Sequence, residues 1–150
     1  MAKWKDIDLD AAEWRYVVSK TKTDHIVPLC KQVMAIFREL HPFSGYGEYV
    51  FQGARDPKKP MSDAAVNTAI KSLGYDTKTQ ITGHGVRAMA RTVLHERLEI
   101  DPHILEHQLS HKVSDPLGGA YNRTKFIKQR KVVMQTWADY LDELKADSQE

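Results

Sequence analysis

The sequence predicts an α+β fold that is mainly α-helical, with a small antiparallel two- to three-stranded sheet at the N-terminus packed on a helical domain. Up to Pro28, aromatic and β-branched residues alternate with polar ones between turn residues, which is typical of strands. Beyond Pro28 the apolar residues recur at helical spacing. The length of 150 residues is that of one domain. No repeat or linker divides the chain, so we expect residues 1–150 to form a single domain.

The predicted sheet comprises the segments "DIDLD", "EWRYVVS" and "DHIVPL". The tight turn "KTKT" joins the second segment to the third. Pro28 indicates an edge strand or a strand end, because proline has no N–H group for a sheet ladder. We expect Trp4 and Trp14 to pack on the covered face of the sheet.

Two helices and a long loop follow. Apolar residues at i, i+3, i+4 and i+7 predict the first helix, which should end at His41-Pro42. The loop "PFSGYGEYVFQGARDPKKP" contains an extended piece at 49–51. Ser62 is the predicted N-cap of the second helix, and Gly74 its stop. The expected apolar stripe of this second helix is Val66, Ala69, Ile70 and Leu73.

Three further helices complete the predicted fold. The third runs from about Gly83 to Leu98. Asp101 is the predicted N-cap and Pro102 the predicted first-turn residue of the fourth helix, which should reach about His111. The last helix carries an apolar side made of Phe126, Val133, Met134, Trp137, Leu141 and Leu144.

The composition is that of an ordinary soluble protein, with 41% hydrophobic and 28% charged residues. No apolar run approaches the ~20 residues of a membrane span, and no secretory signal opens the chain, so we expect no membrane partner. The single cysteine, Cys30, excludes an internal disulfide and fits a reducing cytoplasm.

The small positive net charge is compatible with a polyanionic partner. The net charge is +2 and the pI is about 8.6, below the pI of ~9 that marks a strongly basic domain. The run "RTKFIKQRK" from Arg123 to Lys131 concentrates positive charge without an acid. Such a run is also typical of a solvated face.

The third helix has two chemically different sides when it is projected at about 100° per residue. Val86, Met89, Ala90 and Val93 lie on one side, and His84, Arg87, Arg91 and His95 on the other. His84 and Arg87 are i, i+3 neighbours, so both can face one ligand. Guanidinium suits a phosphate because it presents a planar fork of donors. The alternative is a solvated polar face.

His103, His107 and His111 repeat along one side of the fourth helix. Three imidazoles in a straight row do not easily enclose one ion, and the chain has no HExxH motif and no cysteine pair. We therefore expect no metal site, with one histidine functional and the others buried or exposed.

Two further features complete the set of candidate groups. Lys20 and Lys22 lie in the turn between two strands, where a lysine can reach a groove or a leaving oxygen or simply remain solvated. Tyr121 follows His111 in "HKVSDPLGGAYNR". A phenol, two imidazoles and a guanidinium can together attack a phosphodiester without a metal. The alternative is that Tyr121 only packs at a loop end.

In this order, the motifs resemble the catalytic domain of tyrosine recombinases, specifically the prophage integrase branch. The resemblance covers almost the whole chain. It rests on "WKDIDLDAAEW", "KTKTDHIVPL", "KPMSDAAVNTAIKSLGY", "TGHGVRAMARTVLHE", "LEHQLSH", "AYNR" and "QTWADYLDEL". Each motif alone is weak, and the ordered set is specific.

The resemblance implies a fold of the DNA breaking-rejoining type and a role for each matching residue. Tyr121 would be the nucleophile and His84 the proton acceptor. Arg87 and His111 would stabilise charge on the phosphate oxygens. Lys20 would be the general acid, with Lys22 as the alternative.

The same resemblance implies the partners. They are double-stranded DNA attachment sites, other protomers in a tetramer on DNA, and accessory DNA-bending or excision factors. No cofactor is implied. We expect the DNA backbone to be contacted by Lys22, Arg91, Arg123 and Lys125.

One element of the family pattern is missing. No arginine of this chain matches the family's first catalytic arginine, which should lie on a helix before the strand near Trp4. The chain thus resembles a partial catalytic domain without that arginine and without the amino-terminal DNA-binding domains. Loss of one such donor typically costs on the order of 10²–10³ in rate, so we expect this chain alone to be nearly inactive.

Three rival functions remain at the level of sequence. They are a DNA-binding module without catalysis, a metal-dependent hydrolase built on the histidine row, and a type IB topoisomerase, which shares the tyrosine chemistry.

Overall fold

The computed structural model of the chain describes residues 1–19, 22–110 and 126–148. Within these ranges a three-stranded antiparallel sheet is followed by five helices, which confirms the α+β, mainly helical prediction. The strands are β1 (Ile7–Asp8), β2 (Glu13–Val18) and β3 (Thr23–Pro28). The helices are α1 (Lys31–Ser44), α2 (Ala65–Ser72), α3 (Gly83–Glu96), α4 (Pro102–Gln108) and α5 (Ile127–Asp147).

The sheet has the order β1-β2-β3, with Trp14 opposite Val27 and Tyr16 opposite His25. Side chains alternate along β2, where Tyr16 is half-buried and its neighbours Arg15 and Val17 are exposed. Pro28 is the last residue of the edge strand β3, as its missing N–H group predicts.

Trp4 differs from the prediction, because it packs on α1 and not on the sheet. It belongs to a short 3-10 turn, Trp4–Asp6. Its ring lies edge-on to Phe37 at 6.1 Å, and its indole N–H donates to the Ser44 hydroxyl at 3.2 Å. Trp14 does lie on the sheet, where it stacks on Tyr16 with 4.4 Å between ring centroids.

Helix α1 continues beyond the predicted stop at His41-Pro42 and ends at Ser44. The final turn is held from outside the helix, because the buried Ser44 donates to the Val50 carbonyl at 2.9 Å and accepts from Trp4. These contacts outweigh the helix-breaking tendency of Pro42, which lies in the last turn. The predicted extended piece at 49–51 is present as an isolated bridge between Lys3 and Tyr49.

Helix α2 begins later than predicted and buries less. Ser62 makes no side-chain cap; its carbonyl accepts from Ala65 N–H in a preceding turn. Gly74 has a φ of 93°, as a C-terminal stop requires. No residue of α2 is buried, and in the predicted stripe Val66 and Leu73 are 48% and 75% exposed while Ile70 is half-buried.

The main core lies where α3, α4 and α5 meet. Leu94, Leu105 and Val133 are its buried residues, one from each helix. Partly buried side chains pack against them: Leu98, Ile100, Ile104 and Trp137. None of the helices in the described ranges is long and apolar enough to cross a bilayer.

Candidate functional site

The amino-terminal end of α3 carries His84 and Arg87. Thr82 caps this helix, and its hydroxyl accepts from Gly85 N–H at 2.9 Å. Gly83 N–H donates to the Asn67 side chain of α2 at 3.0 Å. Both His84 and Arg87 are exposed, so the start of α3 presents an imidazole and a guanidinium on the surface.

The carboxyl end of α4 lies against this part of α3. The Asp101 side chain caps the start of α4 by accepting from His103 N–H at 2.8 Å, as predicted. The helix ends at Gln108 and not near His111, because Ser110 adopts a left-handed φ of 55°. Arg87 donates from Nη2 to the carbonyl of Leu109, and this contact joins the two helix ends.

The side of α3 that we predicted to be polar faces α4. Arg91 pairs with Glu106 of α4, with Nε at 2.8 Å and Nη2 at 2.7 Å from Oε1. On the other side Val86 and Met89 are 38% and 46% exposed, and Ala90 and Val93 are half-buried, so the described residues cover this apolar side only in part. Leu94, the buried residue of α3, lies on the same side of the helix as the exposed Arg87 and Arg91.

The histidines of α4 differ in environment. His107 is buried, and its ring lies 5.3 Å from the ring of Phe126. His103 is exposed. Within residues 1–19, 22–110 and 126–148, no group of three His, Cys, Asp or Glu side chains is placed to hold a metal ion.

A polar cluster, in which His25 and Arg130 are buried and Tyr16 and Gln108 are half-buried, lies at the end of α4. His25 Nε2 is 3.3 Å from the Gln108 carbonyl oxygen, and its ring packs edge-on against Tyr16 at 5.5 Å. Burial lowers the pKa of His25 to about 4, and the charge of Arg130 adds to this shift. His25 is therefore neutral near pH 7.

Arg130 of α5 is the fully buried cation of this cluster. Its Nε donates to the Gln108 side-chain oxygen at 2.8 Å, and its Nη2 donates to the Ile26 carbonyl of β3. Burial lowers its pKa to about 10, so it stays charged near neutral pH. Burial raises the pKa of Tyr16, while the charges of Arg87 and Arg130 oppose that rise.

Sequence reasoning missed Arg130, because it lies in the basic run from Arg123 to Lys131. Among the described basic residues of that run, Lys128 and Lys131 are exposed on α5, and Lys131 bridges Glu13 at 3.2 Å. A signal was present, since Arg130 precedes Val133, Met134 and Trp137 at helical spacing. That spacing places the arginine on the apolar side of α5.

The other predicted site residues differ in how far the structure describes them. Lys22 is exposed in the β2–β3 turn with a φ of 54°, and its N–H donates to the Val18 carbonyl at 2.8 Å. Lys20, His111, Tyr121, Arg123 and Lys125 lie outside the described residues.

Comparison with known proteins identifies a family and several relatives. The phage integrase family matches residues 1–126. The integrase of Enterobacteria phage P4 is 39% identical over 94% of this chain and 36% of its own length. The prophage integrase IntA of Escherichia coli strain K12 is 36% identical over 92% of this chain and 33% of its own length.

A third relative extends the same pattern. The integrase of Shigella phage Sf6 is 34% identical over 94% of this chain and 37% of its own length. The chain thus spans about a third of the length of these curated relatives. No solved structure matches it significantly.

Proposed function

The chain belongs to the phage integrase family, and from that premise we propose that residues 1–150 form the catalytic domain of a site-specific DNA recombinase. The observation that carries this proposal is the contact between Arg87 of the H-x-x-R motif and the Leu109 carbonyl at the end of α4. Leu109 is followed, after Ser110, by His111. The contact therefore places Arg87 beside Leu109, two residues before His111 in the sequence, which supports the proposal.

In the proposed reaction the phenol oxygen of Tyr121 attacks a scissile phosphorus in DNA. A free phenol with a pKa near 10 needs help to lose its proton. His84 accepts that proton, because an imidazole nitrogen can act as a general base. The bond from phosphorus to the 5′-oxygen breaks, and Lys20 gives that oxygen a proton. The products are a 3′-phosphotyrosyl link and a free 5′-hydroxyl.

Arg87 and His111 stabilise the charge that develops on the non-bridging oxygens. A guanidinium has five N–H donors, so the bond from Arg87 to Leu109 leaves donors for a phosphate. A 5′-hydroxyl from another duplex reverses the cleavage, and two such exchanges recombine the DNA. The proposed partners are double-stranded attachment sites, further protomers and accessory DNA-bending factors.

The test is covalent capture on a nicked duplex that loses its 5′-hydroxyl fragment after cleavage. The intact protein that contains this chain should form a covalent adduct, and Tyr121→Phe should abolish it. An adduct that persists in Tyr121→Phe would refute the tyrosine mechanism. DNA binding with no adduct from the intact protein would favour a DNA-binding module without catalysis.

The chain of 150 residues alone should react far more slowly in the same assay. It lacks an arginine matching the first of the two that clamp the phosphate, and one such donor is worth on the order of 10²–10³ in rate. A rate equal to that of the intact protein would show that this arginine is not needed here.

A further inference from the structure

Three side chains from three elements converge on the last turn of α4. Arg87 of α3 donates to the Leu109 carbonyl, and His25 of β3 contacts the Gln108 carbonyl. Arg130 of α5 donates to the Gln108 side chain. The last carbonyls of a helix lack partners within the helix. These contacts therefore fix an end that the helix cannot hold by itself.

Of these three side chains, Arg130 is the one whose burial is most unfavourable for stability. It is fully buried, and no carboxylate of the described residues lies within ion-pair distance of it. Among those residues its Nη1 has no hydrogen-bond partner. A buried charge without a close counter-charge contributes less to stability than a well-packed apolar side chain. Stability of the core alone therefore does not account for an arginine at this position.

The contacts of Arg130 join three segments that lead to reacting groups. Gln108 and Leu109 precede His111. Ile26 belongs to β3, which begins at Thr23, one residue after Lys22 and three residues after Lys20 in the sequence. Arg130 itself lies in the first turns of α5, the helix that follows the Tyr121 segment.

We propose that Arg130 is a positioning residue for strand transfer, holding the end of α4 and strand β3 in one fixed arrangement around the scissile phosphate. This inference rests on the proposed function. Arg130 does not touch the DNA, because it is fully buried. Its effect is on the geometry of the groups that do.

The geometry requires a guanidinium specifically. Nε reaches α4 while Nη2 reaches β3, so one rigid planar group joins two elements. A lysine ammonium keeps the charge but is a single point on a flexible stem. Arg130→Lys should therefore lose the positioning, and a misplacement of about 1 Å can cost on the order of 10²-fold in rate.

The experiment separates the rate of chemistry from DNA affinity, using the intact protein and the nicked duplex. We expect Arg130→Lys and Arg130→Met to slow single-turnover adduct formation at saturating DNA by about 10²-fold, with Kd changed less than about threefold. Lys128→Met is the control, since it removes an exposed charge two residues earlier in α5 and should leave the saturating rate unchanged. Folded Arg130 variants with the wild-type rate would overturn the proposal.

If the Arg130 variants do not fold, which circular dichroism would reveal, a second variant still tests the proposal. Gln108→Met removes the acceptor on α4 and leaves the bond from Arg130 to Ile26. It should also lower the saturating rate without weakening DNA binding, and an unchanged rate would overturn the proposal.

Tyr121→Phe, measured in parallel, distinguishes the two failures. No wild-type adduct, or one that persists in Tyr121→Phe, refutes the proposed function together with this inference. A Tyr121-dependent adduct that forms at the wild-type rate in the Arg130 and Gln108 variants refutes this inference alone.

Discussion

His25 is a buried histidine on an edge strand, placed between the Tyr16 ring and the end of α4. It is only 7% exposed. Burial and the nearby positive charge of Arg130 disfavour its protonated form. The neutral imidazole is therefore part of the folded structure, and acid should act on the fold through it.

The sign of the pH effect follows from the two pKa values of His25. The unfolded chain binds a proton near 6.5, whereas the folded protein binds it only at about 4. Between these values the unfolded state holds more protons, so stability falls as the pH falls. We expect urea unfolding to show a loss of about 2 kcal/mol between pH 7 and pH 5.

His25→Gln should remove most of that loss, because glutamine can still donate to Gln108 and does not titrate. The matched control is His103→Gln, which replaces an exposed histidine and should keep the wild-type pH dependence. If His25→Gln and wild type lost stability equally, another group would be responsible.

Single residues also mark the limit of what the sequence predicts. The motif residues His84 and Arg87 were identified from type and spacing, and the structure places them together at the exposed start of α3. Arg130 was not identified from the sequence, because burial depends on which elements pack together. Its neighbours in sequence are basic, and only the approach of α4 and β3 makes it internal.

At the level of elements, the strands and helices follow the local sequence closely. Pro28, Gly74 and Asp101 end or begin their elements as their chemistry predicts. The errors arise where distant contacts decide. Ser44 extends α1 through Trp4 and Val50, and within the described residues Val66 and Leu73 of the α2 stripe stay exposed.

Helix α5 allows a matched test of packing. Val132 and Val133 are adjacent and identical in type, but Val132 is 63% exposed and Val133 is 2% exposed. Val133→Ala should lower the free energy of unfolding by about 2–3 kcal/mol, through lost burial and a residual cavity. Val132→Ala should change it by less than ~0.5 kcal/mol.

Urea unfolding of both variants measures the difference. Equal effects would show that α5 is not docked on Leu94 and Leu105.

Docking of α5 also involves α1, since the Gln135 side chain accepts from Lys31 N–H at 3.0 Å.

For the whole molecule, the net charge of +2 is small for a protein proposed to bind DNA, and several cations are already paired with acids. Lys3 contacts Glu48 at 2.7 Å, and Arg91 contacts Glu106 at 2.7 Å. Burial opposes ionisation of Glu13, yet Arg15 and Lys131 hold its pKa below the usual value. We therefore expect this chain alone to bind DNA weakly and in a salt-sensitive manner.

Two variants that each remove one positive charge can assign the salt dependence of DNA binding to a position. Each phosphate contact contributes a slope of about −0.9 to log K against log salt. Lys22→Gln, in the β2–β3 turn, should make the slope less negative by about one. Lys145→Gln lowers the net charge equally in the last turn of α5 and should leave it unchanged. Fluorescence anisotropy with duplex DNA measures both, and equal slopes would remove Lys22 from the interface.

The left-handed residues Ser110 and Phe126, with φ of 55° and 58°, stand on either side of residues 111–125. Both borders are anchored in one place, since His107 contacts Phe126 and Gln108 contacts Arg130. The two borders of this interval are therefore set by the packing of α4 against α5. We expect a change of sequence between them to leave that packing in place.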